Sequence, residues 1–134
     1  MKVLYSVIAE DAQLRNDGRM DVHGIFHELY ARGFPAQQEQ LTLVTTIEWD
    51  ASERGAIDFA VNLLDPDRGP VLTINAQTQV EDQYAVHRPA RTQMAIPIDQ
   101  LIFPRAGTYE FELTVGDVKQ ALAPIYLIED AHAH

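Results

Sequence analysis

The segment GTYEFELTV, residues 107–115, constrains the fold more than any other part of the sequence. Its apolar residues fall at every second position, from Tyr109 to Val115, and polar residues fill the positions between them. Because successive side chains of a β-strand point to opposite faces, this period of two predicts a half-buried strand. Gly116 and Asp117 follow as a two-residue turn, so we expect residues 118–129 to return as the second strand of a hairpin.

The same alternation recurs upstream, interrupted by runs of turn-forming residues. Apolar residues share one face in residues 41–49 and again in residues 57–63, and DPDRGP at residues 65–70 is a strong turn. No window of 11 residues combines helical apolar spacing with caps at both ends. About eight strands joined by polar turns predict an all-β antiparallel sandwich or barrel, of which we favour a single-domain β-sandwich with Greek-key connections.

The length of the chain fits one domain. A chain of 134 residues can bury a continuous core without disulfides or a structural metal. We expect the sandwich to span residues 1–129. Residues 130–134 carry no alternation and are expected to form a flexible tail.

Charge and composition limit the classes of partner. The chain has 10 Lys and Arg against 20 Asp and Glu, a formal net charge of −10, and its basic residues are scattered. We therefore expect neither nucleic acid nor a membrane as partner, because both would be repelled. The absence of cysteine excludes thiol catalysis and disulfides. With no signal-peptide pattern and no long apolar stretch, we expect a cytoplasmic protein.

Two histidines four residues apart, His23 and His27, raise the question of a metal site. On a helix they would share a face, as in zinc enzymes. The flanking residues instead favour a strand, in which the two would lie roughly 13 Å apart at about 3.3 Å per residue. A β-bulge at Gly24 would then absorb a switch of apolar phase. Asp65 and Asp67 resemble half of a calcium loop without its remaining ligands, so we expect a turn there and no metal at either place.

No pattern in the sequence predicts catalysis. The two serines, Ser6 and Ser52, stand outside any nucleophile motif, and the seven glycines form no phosphate loop. Glu110 and Glu112 would share a strand face roughly 6–7 Å apart, a spacing used by glycosidases and equally common on solvated strands. We expect no catalytic residue, no cofactor and no enzyme, and keep a metal-dependent enzyme as a remote alternative.

The run of residues 105–111 resembles a signature of immunoglobulin-like sandwiches, in which a tyrosine hydroxyl bonds to upstream backbone. Gly107 and Tyr109 match the signature, whereas Arg105 replaces an aspartate and Phe111 replaces the disulfide cysteine. The resemblance implies an immunoglobulin-like corner, with Trp49 as the large core residue nearby. In residues 2–35, 63–72 and 103–117 the chain is also similar to a family of small bacterial sandwich domains of unknown function. That likeness implies a single domain and carries over no site residue.

Two functions stay open, and the first is protein association, either with a second copy of the chain or with another protein. Sheet edges offer unpaired backbone groups, and residues 85–98 carry the charges and prolines that blunt an edge. Ile102 and Phe103, or Phe34, would be apolar anchors if exposed, although we expect both phenylalanines to plug the ends of the sandwich.

The second function is binding of a small ligand, for instance a carbohydrate, on a sheet face. Aromatic rings and alternating amides are suited to polar ligands. The candidate residues are Trp49, Asn75, Gln77, Gln79, Tyr84 and Tyr126.

Overall fold

A computed structural model describes residues 1–81 and 88–133, which form nine β-strands. The strands are β1 (Lys2–Leu14), β2 (Met20–Ile25), β3 (Glu28–Ala31), β4 (Ala36–Glu48), β5 (Gly55–Leu64), β6 (Pro70–Val80), β7 (Arg91–Phe103), β8 (Gly107–Val115) and β9 (Val118–Glu129). A search of these residues for a helix able to cross a membrane finds none.

The strands form two sheets that pack around one core. Sheet A has the order β2-β1-β4-β7 and is antiparallel throughout. Sheet B has the order β3-β9-β8-β5-β6 and is antiparallel except for β3, which runs parallel to β9. The predicted all-β sandwich is confirmed. It has nine strands rather than about eight because, after β2, the chain leaves sheet A and adds the short strand β3 to sheet B.

The core lies between the inner faces of the two sheets. Tyr109, Phe111 and Leu113 of β8 are fully buried, as the alternation predicts. The ring of Tyr109 packs edge-on against Phe103, with centroids 5.0 Å apart and planes at 81°. Phe103 is buried and Phe34 packs half-buried against the core, so both lie where we expected them. Each buried aromatic ring contributes about 2–3 kcal/mol of apolar transfer free energy.

The corner before β8 has the hydrogen bonds that the resemblance implied. The Tyr109 hydroxyl donates to the Arg105 carbonyl at 2.8 Å and accepts from the Arg105 N–H at 3.1 Å. Gly107 has φ 135°, and a Cβ there would lie 2.7 Å from Cγ of Pro66. The glycine is therefore required by both the backbone conformation and the close approach of the proline ring.

Strand β1 pairs with different partners along its two halves. From Lys2 to Ala9 it pairs with β4, and from Ala9 to Leu14 it pairs with β2. The register between β1 and β2 is constant on both sides of Gly24, so the predicted bulge there is wrong. Gly24 instead has φ 70°, and its missing side chain makes room for Glu10. We call residues 10–25 the arm.

The arm folds back across the outer face of sheet A, the face that points away from the core. At its tip, Leu14 and Asp17 share a cleft with Arg91 and Gln93 at the beginning of β7. In a flat sheet these groups would lie more than about 30 Å apart at 3.3 Å per residue, because the arm starts beside the row of Pro97. The arm must therefore turn back over β4 to reach them.

Burial on the outer face of sheet A supports this placement. Thr42, Val44 and Thr46 alternate with the inward residues of β4, yet they are 3%, 0% and 2% exposed. Val44 is buried without belonging to the core cluster between the sheets. The arm forms a partial third layer that covers these three side chains.

The residues after β9 contact the strand β3. Asp130 N donates to the Ala31 carbonyl at 2.8 Å, and Arg32 Nε donates to the Ala133 carbonyl at 2.5 Å. Residue 134 lies outside the described part of the chain. The flexibility expected for residues 130–134 stays a prediction.

Candidate functional site

The two histidines considered as metal ligands lie in different elements. His23 belongs to β2 and faces Asp11 of β1 across the pair, whereas β2 ends at Ile25 and His27 follows in the link to β3. Within residues 1–81 and 88–133, no three or more His, Cys, Asp or Glu side chains cluster as a metal site would require.

The acidic residues of the DPDRG segment are engaged in a turn. Asp65 Oδ1 accepts hydrogen bonds from the backbone N–H groups of Asp67 at 2.9 Å and Gly69 at 2.8 Å. The guanidinium of Arg105 bridges the two carboxylates, 3.7 Å from Asp65 and in a short contact with Asp67. These contacts are those of the expected turn, with Arg105 supplying the neighbouring positive charge.

A cleft of about 470 Å³ lies where the edges of the two sheets meet. Strand β6 is an edge of sheet B and β7 is an edge of sheet A. The cleft is lined by Asp65, Pro70, Val71, Leu72, Ile98, Asp99, Gln100, Leu101, Ile102 and Pro104. We call it the seam cleft.

A local irregularity in β7 gives the seam cleft its exposed apolar group. Ile98 and Leu101 both point into the core although they are three residues apart. Gln100, with φ 52°, adopts a left-handed conformation that reverses the alternation between them. In consequence Phe103 is 1% exposed, and Ile102 turns outward with 53% of its surface exposed.

The charges around the seam cleft are unevenly compensated. Asp65 is neutralised by Arg105 and by two backbone N–H groups. Asp99 is exposed and makes no ion pair or side-chain hydrogen bond with any residue in 1–81 or 88–133. The cleft therefore combines apolar walls with a carboxylate that has no partner among the described residues.

Four of the six residues expected on a ligand-binding face do share a face. Asn75, Gln77 and Gln79 are exposed on β6, and Tyr126 is 41% exposed on β9. Their positions in the pairing place all four on the outer face of sheet B, the face that points away from the core. Tyr126 and Asn75 are separated by three strand spacings, roughly 14 Å at about 4.8 Å per strand, and also by six residues along β8, roughly 20 Å at about 3.4 Å per residue.

The other two residues of that set are placed differently. Trp49 is 2% exposed, and its indole N–H donates to Thr92 Oγ1 at 2.8 Å. Its large apolar area and satisfied N–H make it a core residue, as the immunoglobulin-like resemblance implied, and remove it from the ligand-binding face. Tyr84 lies outside the described residues.

Two shallow depressions lie side by side on the outer face of sheet B along β5. The first, of about 350 Å³, is lined by Asp58, Phe59, Ala60, Asn75, Ala76 and Thr114. The second, of about 340 Å³, is lined by Asn62, Leu64, Arg68, Pro70, Thr73, Glu112 and Lys119. We call the two together the β5 groove.

An exposed tyrosine that the sequence interpretation missed lies on the same face. Tyr30 of β3 is 53% exposed, and its hydroxyl donates to Glu28 Oε2 at 2.5 Å. This hydrogen bond and the negative charge of Glu28 raise the pKa of Tyr30. Glu28 pairs with Tyr126 across β3 and β9, so both tyrosines lie at one end of the face. In the sequence, only the alternation of residues within the four-residue strand β3 could have indicated that Tyr30 lies on this face.

Comparison with known proteins gives one match. The model of a family described as "Family of unknown function (DUF6941)" matches residues 4–128. No curated protein and no solved structure matches the chain.

Proposed function

The chain belongs to this family of unknown function, whose model covers residues 4–128, and we propose that it is a non-catalytic domain that binds an extended segment of another protein in the seam cleft. The observation that carries the proposal is Ile102. It is a large aliphatic side chain, 53% exposed, beside an apolar-walled cleft and between two sheet edges. Such an arrangement is typical of protein interaction sites.

The size of the seam cleft suits side chains of a partner. At about 470 Å³ it has room for one or two large apolar side chains. Burial of the exposed half of Ile102 would add about 1 kcal/mol to binding. Addition of a whole strand to β7 is disfavoured, because Gln100 interrupts the regular backbone of that edge.

Charge favours another protein over a second copy of the chain. Two copies would each bring a net charge of −10, and repulsion between them opposes a self-complementary contact. The exposed carboxylate of Asp99, which has no partner among residues 1–81 and 88–133, would instead attract a cation. The partner segment therefore carries apolar side chains next to a Lys or Arg.

The test starts from a display library of random peptides selected on the full chain. Selected peptides should combine apolar and basic residues, and Ile102→Asp should weaken their binding, measured by calorimetry, at least tenfold. Asp99→Asn should lower the affinity of the basic peptides and the salt dependence of their binding. The matched control is Ile128→Asp, because Ile128 is also exposed but lies on β9 outside the seam cleft.

Two outcomes would overturn the proposal. One is a failure to enrich any peptide. The other is binding that Ile102→Asp and Ile128→Asp affect equally.

The proposal also includes the class of the sandwich, the kinds of partner that the protein does not bind and its location in the cell. The hydrogen bonds between Tyr109 and Arg105 support an immunoglobulin-like classification of the sandwich. The acidity of the chain supports a protein that contacts neither nucleic acid nor anionic membrane, and its lack of cysteine supports a location in the reducing cytoplasm. A bacterial source rests only on the resemblance to the family of small bacterial sandwich domains.

A further inference from the structure

The β5 groove is shaped by small residues in the middle of a sheet face. Ala60 of β5 lies in one row with Thr114 of β8 and Asn75 of β6. The central residue of the row is an alanine, whose side chain is shorter than those of its neighbours Thr114 and Asn75. The neighbours therefore project further from the sheet, and the first depression lies between them. The methyl group of Ala60 lies at the floor of the depression, and polar groups of Asp58 and Asn75 flank it. Phe59 and Ala76 also line it, although their side chains point toward the core face.

Several polar groups around the groove have hydrogen-bond donors or acceptors that no residue in 1–81 or 88–133 uses. Asn75 and Lys119 make no side-chain hydrogen bond or ion pair with any residue in 1–81 or 88–133. The hydroxyl of Thr114 is buried and unpartnered within the same residues. Thr114 lines the first depression, so a ligand bound there would be close enough to offer this hydroxyl a partner.

Other polar groups of the groove are held in place by their neighbours. Gln77 Nε2 donates to Asp58 Oδ1 at 2.8 Å, and Thr73 Oγ1 donates to Asn62 Oδ1 at 2.7 Å. Each contact leaves the acceptor with a further lone pair and fixes its direction. The groove thus presents oriented acceptors before any ligand arrives, which lowers the entropy cost of binding.

From these observations we propose that the β5 groove is a second binding site, which takes a neutral oligosaccharide. A pyranose ring has an apolar C–H face and a rim of hydroxyl groups, each both donor and acceptor. The methyl floor at Ala60 suits the C–H face, and Asp58, Asn75 and Thr114 suit the hydroxyls.

The second depression extends the site along the strand. Its floor residue Asn62 lies two positions from Ala60, about 7 Å at 3.4 Å per residue, and points to the same face. Thr73 flanks it from β6 and Glu112 from β8. A linked chain of sugars would place consecutive rings over the two depressions.

The charges of the groove favour a neutral ligand. Both signs are present, since Arg68 lies 3.3 Å from Glu112 and Lys119 lines the same depression. An anionic ligand would face this mixed surface on a chain of net charge −10. The seam cleft is larger, at about 470 Å³ against about 350 Å³ and 340 Å³, and more aliphatic side chains line it, so it suits the side chains of an extended peptide better.

The experiment is an NMR titration of the ¹⁵N-labelled full chain with four neutral tetrasaccharides, built from α-glucose, β-glucose, mannose and N-acetylglucosamine. At least one should shift amide signals of residues 58–62, 73–77 and 112–114 in a saturable manner. Ala60→Met fills the first depression and should weaken binding at least tenfold. Ala56→Met is the matched control, because Ala56 lies on the same outward face of β5 beyond the groove.

Shifts with none of the four sugars, or equal affinities of Ala60→Met and Ala56→Met, would overturn the proposal. If Ala60→Met changes the melting temperature, Asn75→Ala replaces it, with Gln79→Ala as control on the same exposed side of β6. Failure here is distinct from failure of the seam cleft. The two sites share only Pro70, so Ile102→Asp should leave sugar binding intact and Ala60→Met should leave peptide binding intact.

Discussion

At the scale of single residues, two neighbouring threonines on β4 differ in how their hydroxyls are satisfied. Thr45 and Thr46 are 1% and 2% exposed. Thr45 Oγ1 donates to the Tyr5 carbonyl at 3.2 Å, whereas Thr46 Oγ1 has no partner among residues 1–81 and 88–133. An unsatisfied buried hydroxyl carries a desolvation penalty that no contact offsets.

We therefore expect Thr46→Val to raise the free energy of unfolding by about 1 kcal/mol, because valine keeps the shape and removes the penalty. Thr45→Val, which gives up a hydrogen bond, should be neutral or destabilising. Urea denaturation of both variants measures the difference. Equal changes in the two variants would contradict the expectation.

Gly107, in the corner before β8, is a second residue at which a substitution should be costly. Gly107→Ala combines a positive φ with a clash against the Pro66 ring, and we expect it to destabilise the fold by about 2–4 kcal/mol. Gly116→Ala also has positive φ, at 57°, but nothing lies within 4 Å of the added Cβ. It should cost only about 1 kcal/mol. Thermal melting of both variants measures the difference, which contains the less favourable φ at Gly107 as well as the contact with Pro66.

At the scale of elements, local alternation predicted the strands but not all of their partners. The period of two identified β8 and its hairpin with β9, because both the pattern and the turn are contiguous in sequence. The parallel pairing of Glu28 with Tyr126 joins residues almost a hundred positions apart and leaves no local signal. The arm was not predicted for the same reason. The sequence of β1 indicates one continuous strand, although its first half pairs with β4 and its second half with β2.

The candidate sites, like the pairing of the strands, could be predicted from the sequence only in part. Ile102 and Phe103 were predicted as apolar anchors if exposed, and Phe103 was expected to be buried, but the face that each side chain takes depends on the reversal at Gln100, which the sequence does not show. The row of amides on β6 was visible as an alternating pattern. Ala60, which shapes the β5 groove, was not, because an alanine in a strand carries no signal until its neighbours across two other strands are known.

The arm offers a test of the third layer. Val22 is half-buried in β2, and Ile25 of the same strand is 51% exposed. Val22→Ser should loosen the arm by about 1 kcal/mol and speed hydrogen exchange of amides in residues 10–25 about fivefold, while β5 and β8 stay protected. Ile25→Ser should leave the exchange rates nearly unchanged. Uniform acceleration across both sheets would mean that the arm is not a separate layer.

At the scale of the whole molecule, the two proposed sites lie on different surfaces of one sandwich. The seam cleft opens at the side where β6 and β7 end their sheets, and the β5 groove lies on the outer face of sheet B. The arm covers part of the outer face of sheet A, so the arm and the two proposed sites occupy three separate surfaces. Such a domain would join a protein segment at its side to a polar ligand on its face without either displacing the other.

The net charge makes the oligomeric state a direct test of this arrangement. Light scattering after size exclusion should give the monomer mass of 15.1 kDa at two protein concentrations, because copies with a charge of −10 repel each other. Salt shortens the Debye length from about 10 Å at 0.1 M to about 3 Å at 1 M and so removes this repulsion. If a defined dimer then forms and Ile102→Asp abolishes it, a second copy would be the occupant of the seam cleft. A monomer at both salt concentrations leaves the seam cleft to a different protein, as proposed from its apolar walls and from Asp99.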